Sequence, residues 1–194
     1  MTLSFYGRSP EEAVVDVMKS LYQRGLVQVR GGNASVVDRD QMIVYMSPTG
    51  VPRLLLEPKD IAILEYPSGR IIRGSPTSEW RMHLAVYEAD PNAVAVVHAH
   101  PKNLLALTYR GEPLQLDLLS EAKLRATCVS RIPFIQPGSQ ELAEAVGNAV
   151  RSTGCNVIVL EGHGLLVYSS DSPYHALDLL EAIEDLAYIQ LHLA

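Results

Sequence analysis

No apolar stretch in this chain approaches the length of a membrane-spanning helix, which takes about 20 consecutive apolar residues, so no membrane partner is expected. Lys/Arg runs that would track a phosphate backbone are also missing, and the formal charge is −6. Nucleic acid is therefore not the expected partner. Lysine is scarce: Lys19, Lys59, Lys102 and Lys123 are all there are. None lies in an apolar strand, so a Schiff-base mechanism, which needs a desolvated lysine, is not expected. Two cysteines, Cys128 and Cys155, cannot make a disulfide framework and lack C-x-x-C spacing. They read first as free buried thiols of a reducing compartment, with a single disulfide as the alternative. The segment Met1 to Phe5 lacks a basic region followed by an apolar stretch, so a cytoplasmic location is the expectation. Internal repeats, low-complexity segments and a regular βαβ alternation are absent too, which argues against a doubly wound parallel sheet.

What is present suits one domain spanning residues 1–194. The hydrophobic share is 47% and the charged share 20%, as in an ordinary folded core. Ser9-Pro10-Glu11-Glu12 predicts a capped helix start, and Val14, Val15, Met18, Leu21 and Tyr22 recur at helical spacing until Gly25. Short β-type runs follow at 35–37, 42–46, 61–66 and 70–73, joined by turns, which predicts antiparallel pairing. A second helix is expected from about Thr77 to Glu88. Further helices are expected at 103–109, 139–151 and from Pro173 to about Leu191, with a strand at 156–160. The stretch from Leu114 to Phe134 carries no clear period.

Three histidines stand out against this frame. His98 and His100 close the apolar run Ala93 to Val97, and residues two apart on a strand face the same way. His163, between Gly162 and Gly164, follows the later apolar run, where flanking glycines let backbone crowd a site. Three imidazoles leaving one or two open positions are the ligand set of a catalytic metal rather than a structural one. His83, His175 and His192 lie in helical patterns and read as surface or packing residues. Glu79, after Pro76-Thr77-Ser78, is the expected proton handler; beside an apolar wall such as Trp80 its pKa would rise toward working pH. Its plainer reading is a first-turn acid at a serine-capped helix start. Gly31-Gly32-Asn33-Ala34-Ser35 and Ser47-Pro48-Thr49-Gly50 are two more small polar loops. Together the three suggest a cradle for one phosphate group.

The motifs G-G-N-A-S, S-P-T-G, P-T-S-E-W, V-V-H-A-H-P and G-H-G-L, in this order, resemble those of the class II aldolase/adducin family over nearly the whole chain. The resemblance implies a three-layer α/β/α sandwich with a central, mainly antiparallel sheet, and a homotetramer with active sites between subunits. It implies zinc, or another divalent metal such as manganese or cobalt, on His98, His100 and His163. Glu79 would be both a labile metal ligand and the catalytic acid/base. Asn33, Thr49, Gly50, Thr77 and Ser78 would bind phosphate, Thr77 replacing the commoner serine. The implied reaction is the reversible cleavage of a ketose 1-phosphate, such as L-fuculose 1-phosphate, into dihydroxyacetone phosphate and a small aldehyde such as lactaldehyde, through a metal-stabilised enediolate.

Two departures stand out. Asp117 falls where bacterial family members use a tyrosine, and the sequence ends at Leu193-Ala194 without their tyrosine-bearing tail. The aldehyde-side proton therefore lacks an assigned carrier, for which Glu121 is nominated. Sugar-phosphate 4-epimerases of the family usually carry aspartate at the Glu79 position, and the dehydratases lack that glutamate in its context. Sugar-acid phosphate decarboxylases stay open. A non-catalytic adducin-like module would have no use for three metal ligands.

Overall fold

Residues 3–193 are described by a computed structural model. Helix α1, Pro10–Gln23, starts with the predicted capping box: Ser9 accepts from the Glu12 N–H and the Glu12 carboxylate accepts from the Ser9 N–H. Such a cap contributes about 1 kcal/mol. Strands β1 (Asn33–Asp38), β2 (Ile43–Met46), β3 (Ala62–Glu65) and β4 (Ile71–Arg73) follow as an antiparallel meander. After α2 (Trp80–Ala89) come β5 (Ala95–Ala99), α3 (Lys102–Tyr109) and α4 (Ser120–Arg125). The chain closes with β6 (Val129–Ile132), α5 (Gln140–Thr153), β7 (Val157–Leu160), β8 (Gly164–Ser169) and α6 (Pro173–His192).

The eight strands form one sheet in the order β4-β3-β2-β1-β5-β8-β7-β6. Only the β6–β7 pair is parallel; every other neighbour is antiparallel. Alternation along β5 explains the layers. Ala95, Val97 and Ala99 join the core shared with α1, α3 and α6, while Val96 joins the opposite core with Met82, Tyr87 and Val146. The α/β/α sandwich with a mainly antiparallel sheet is thus the fold. No helix among the described residues is long and apolar enough to cross a membrane.

Three expectations need revision. Helix α2 begins at Trp80, not Thr77, and Ser78 caps nothing; Glu79 itself occupies the cap position without a side-chain cap bond. Cys128 and Cys155 are paired in a disulfide rather than free. Cys128 directly precedes β6 and Cys155 lies two residues before the start of the adjacent β7, the parallel register setting Val129 opposite Val157. Finally, α4 and β6 occupy the stretch without a clear period, and β8 was not anticipated.

Candidate metal centre

Strand β5 lies between β1 and β8, with Asn33 opposite His98 and Leu166 opposite it on the other side. His98 is fully buried at the end of β5, and His100 stands just beyond the strand. His163 occupies the tight turn joining β7 to β8. That turn brings the third imidazole back, so that the ligand nitrogens of His98, His100 and His163 lie within 4.8 Å of one another. Gly164 makes this approach feasible: a methyl placed there would sit 2.2 Å from the Ala99 carbonyl oxygen and 3.2 Å from His98 Cε1. Gly164→Ala is therefore expected to push the turn off β5, at about 1–3 kcal/mol for overpacking. Isothermal titration of the variant with metal should show weakened binding; unaltered affinity and stability would contradict that geometry.

The surroundings assign protons to the rings. His98 Nδ1–H donates to the Leu165 carbonyl at 2.9 Å, and His100 Nδ1–H donates to Gln28 Oε1 at 3.1 Å. With Nδ1 so occupied, Nε2 of each ring faces the centre, and these two nitrogens stand only 3.2 Å apart. Burial holds His100 at about 3 and His163 at about 4, so both rings are neutral near pH 7. Lone pairs turned on one another repel unless a cation lies between them. The Nδ1 atom of His163 and Oε1 of Glu79 are buried without hydrogen-bond partners. Two imidazoles whose outer partners fix their tautomers, a third with an unpartnered ring nitrogen, and an orphaned carboxylate oxygen fit a divalent metal.

Glu79 faces this group. Its Oε2 lies 3.2 Å from His98 Nε2 and its Oε1 lies 3.3 Å from His163 Nε2. Burial pushes the carboxyl up, but the facing His98 and His163 in their protonated form, together with the Asn33 amide, outweigh burial and hold it below the ordinary carboxylate range. The expected rise against Trp80 is thus reversed. The Trp80 indole packs instead over the Gly69 turn and beneath the Arg81 guanidinium, 4.4 Å from its centroid.

A buried chain of hydrogen bonds runs back from Glu79. Asn33 Nδ2 donates to Glu79 Oε2 at 3.1 Å, and His83 Nε2–H donates to Asn33 Oδ1 at 2.5 Å. Ser35 Oγ–H donates to His83 Nδ1 at 2.7 Å, and the Tyr87 hydroxyl donates to Ser35 at 2.7 Å. Every donor points toward the carboxylate. The helical pattern alone marks His83 as a surface or packing residue; its spacing of four from Glu79 is the signal for its place in this chain of bonds. For Gln28 the sequence holds no signal.

Burial keeps the His83 imidazole at about 3, against an ordinary value of 6.5. Between those values the unfolded chain binds the proton and the folded chain does not, so stability falls as pH drops through that window. The urea midpoint of the metal-free protein should fall between about pH 6.5 and pH 4, less steeply in His83→Gln. Identical slopes in the two proteins would remove His83 from this account.

Among the other nominated residues, Thr77 is buried, whereas Thr49, Gly50 and Ser78 are exposed. Their segments are stitched together: Thr49 N–H donates to the Ser75 carbonyl at 3.0 Å and Thr77 N–H to the Ser47 carbonyl at 3.1 Å. Ser47 Oγ accepts from the Ala34 N–H at 3.1 Å, tying in the third loop. Glu121 stands apart, exposed on α4. Asp117 pairs with Lys123 at 2.6 Å. His175 and His192 are exposed.

A mainly antiparallel α/β/α sandwich carrying three convergent imidazoles and a carboxylate defines a protein able to hold a divalent metal in a catalytic setting. Residues 12–191 match the family described as Class II Aldolase and Adducin N-terminal domain, and the chain belongs to that family. It is 33% identical to L-fuculose phosphate aldolase of Methanococcus maripaludis over 92% of this chain and 96% of that one. A solved L-fuculose 1-phosphate aldolase superposes with a TM-score of 0.84 at 27% identity, covering 95% of this chain and 85% of the other. YgbL from Klebsiella pneumoniae, whose description leaves aldolase, epimerase and decarboxylase open, also superposes at 0.84 with 27% identity. That match covers 95% of this chain and 89% of YgbL.

Proposed function

We propose that the protein is a zinc-dependent class II aldolase of the short, archaeal L-fuculose-phosphate type. It would split a ketose 1-phosphate such as L-fuculose 1-phosphate reversibly into dihydroxyacetone phosphate and a small aldehyde such as lactaldehyde. The observation that carries this reading is the convergence of three imidazole nitrogens beside a carboxylate with one free oxygen. Likeness to named L-fuculose phosphate aldolases supports it.

His98, His100 and His163 would hold the cation. Once bound there, it supplies a Lewis acid for the negative charge that develops beside a carbonyl when a C–C bond breaks or forms. The two oxygens of Glu79 divide the remaining work. Asn33 holds Oε2, and Oε1 is left free to take a proton from the carbon next to the carbonyl during condensation. In cleavage the same oxygen returns it. A cation held by the imidazoles would favour the ionised carboxylate, as a base in the condensing direction must be. Thr49, Gly50, Thr77 and Ser78, with Asn33 beside them, would orient the substrate through its phosphate.

Among the described residues, Glu121 is exposed on α4 and apart from the imidazole group. It would serve a neighbouring subunit in a homotetramer whose active sites lie between protomers. Exposed Tyr109 and Phe134, flanking Gly162 next to His163, supply apolar surface suited to such a contact.

The test is to incubate the zinc-loaded protein with dihydroxyacetone phosphate and a panel of small aldehydes and to identify the products. New ketose 1-phosphates, abolished by a chelator, are expected. Pentulose-phosphate epimerisation or sugar-acid phosphate decarboxylation without C–C bond formation would move the assignment to the corresponding branch of the family.

A further inference from the structure

Arg53 is the bulkiest of the fully buried side chains among the described residues, at 2% exposure. It stands in a short 3-10 turn, Arg53–Leu55, just after Ser47-Pro48-Thr49-Gly50. Its guanidinium donates only to main-chain carbonyls. Nε bonds Gly31 at 3.0 Å, and one terminal nitrogen bonds Arg30 and Gly32 at 2.9 and 2.8 Å. The other bonds Pro48 and Val51 at 3.2 and 3.3 Å. All five N–H groups of the fork are used, and they join two of the loops assigned above to phosphate. The Arg53 backbone N–H donates to Val29, anchoring the turn to the same segment at 2.8 Å.

No carboxylate pairs with this cation among the described residues. A buried charge without a counter-charge is costly, so a volume-filling apolar residue would be the simpler solution unless the charge has a use. Burial lowers the guanidinium pKa only to about 10, so it stays charged at neutral pH. Drawing the carbonyls of Gly31 and Gly32 inward also has a geometric consequence. In a trans peptide the next N–H points the opposite way, so the Gly32 N–H is turned away from the guanidinium, while the Asn33 N–H faces β5 opposite His98. An outward-turned N–H in a glycine loop is an element of an anion nest.

We infer that Arg53 is a positioning residue for the substrate's phosphate: it shapes both loops from behind, and the bound phosphate is its missing counter-charge. This rests on the reading of the 31–35 and 47–50 loops as a phosphate site. Arg53 touches no substrate atom; it acts through the backbone it holds. Lysine would keep the charge but offers three donors from a single atom and cannot join both loops.

The experiment has three arms on the zinc-loaded protein. First, inorganic phosphate is titrated into the wild type while amide resonances are followed. Shifts at Gly32, Asn33, Thr49 and Gly50 are expected; their absence overturns the phosphate site itself, whatever Arg53 does. Second, Arg53→Lys is compared by the same titration and by kinetics. Phosphate affinity should fall at least about tenfold, with the catalytic loss in KM more than in kcat and zinc stoichiometry retained. A folded variant with wild-type phosphate affinity overturns the role of Arg53 while leaving the phosphate site standing. Third, hydrogen exchange of the Arg53 Nε–H is measured in the wild type, which needs no variant to fold. Coupling between sites is reciprocal, so saturating phosphate should slow that exchange at least about tenfold; an unchanged rate rejects the inference.

Discussion

Glu79→Gln is expected to bind metal and to lose on the order of 10²–10⁴ in turnover, the usual contribution of a positioned acid/base. The reasoning is local. Glutamine keeps the shape and can still accept the Asn33 amide hydrogen bond that Oε2 accepts at 3.1 Å. It cannot accept a proton at the position of the free oxygen. The three imidazoles are untouched, so metal content measured on the purified variant should match that of the wild type. Exchange of the dihydroxyacetone phosphate C–H with solvent deuterium isolates the proton step and should fall in parallel with turnover. Full exchange in a variant that no longer makes C–C bonds would show that another group carries this proton.

His163→Ala should abolish both metal binding and activity while leaving the fold in place. Its ring sits in the β7–β8 turn with 10% of the side chain exposed, and its Nδ1 has no hydrogen-bond partner. Among the described residues its removal therefore costs only the 3.3 Å approach of Nε2 to Glu79 Oε1. His98 is a poorer choice for this purpose, because it is fully buried within β5 and bonded to the Leu165 carbonyl. Loss of an outer partner alone weakens metal affinity roughly 10–100-fold, so loss of a ligand should exceed that. Metal titration with circular dichroism in parallel gives the readout. Tight binding by a folded His163→Ala protein would dismantle the three-imidazole centre.

The features legible in the sequence share one physical property: their signal is local. The α1 cap is written in Ser9 to Glu12, and the H-x-H pair needs only the two-residue period of a strand. The layered fold and the metal set came from motifs in a fixed order, which a family resemblance converts into a three-dimensional expectation. The signals that were weak are tertiary. Leu165 to Tyr168 is a short apolar run directly after a glycine turn, and only its pairing between β5 and β7 makes it a strand. Trp80 follows Glu79 in sequence, yet the chain turns at the helix start and sends the two side chains to different neighbours, so that Glu79 faces His98, His163 and Asn33. Arg53 resembles any arginine on paper. Its burial depends on carbonyls from residues about twenty positions upstream, and no spacing rule encodes that.

Strand β5 owes its hydrogen-bonded neighbours to opposite ends of the chain: β1 precedes it by some sixty residues and β8 follows it by about as many. Contacts between such distant segments close late and slowly during folding. Until the C-terminal third has been synthesised and has docked, the strand bearing His98 has an unpaired flank, and open strand flanks template self-association. A chain ending before Gly164 would consequently leave the His98 strand open along one flank, and it should self-associate more than the whole chain at equal concentration.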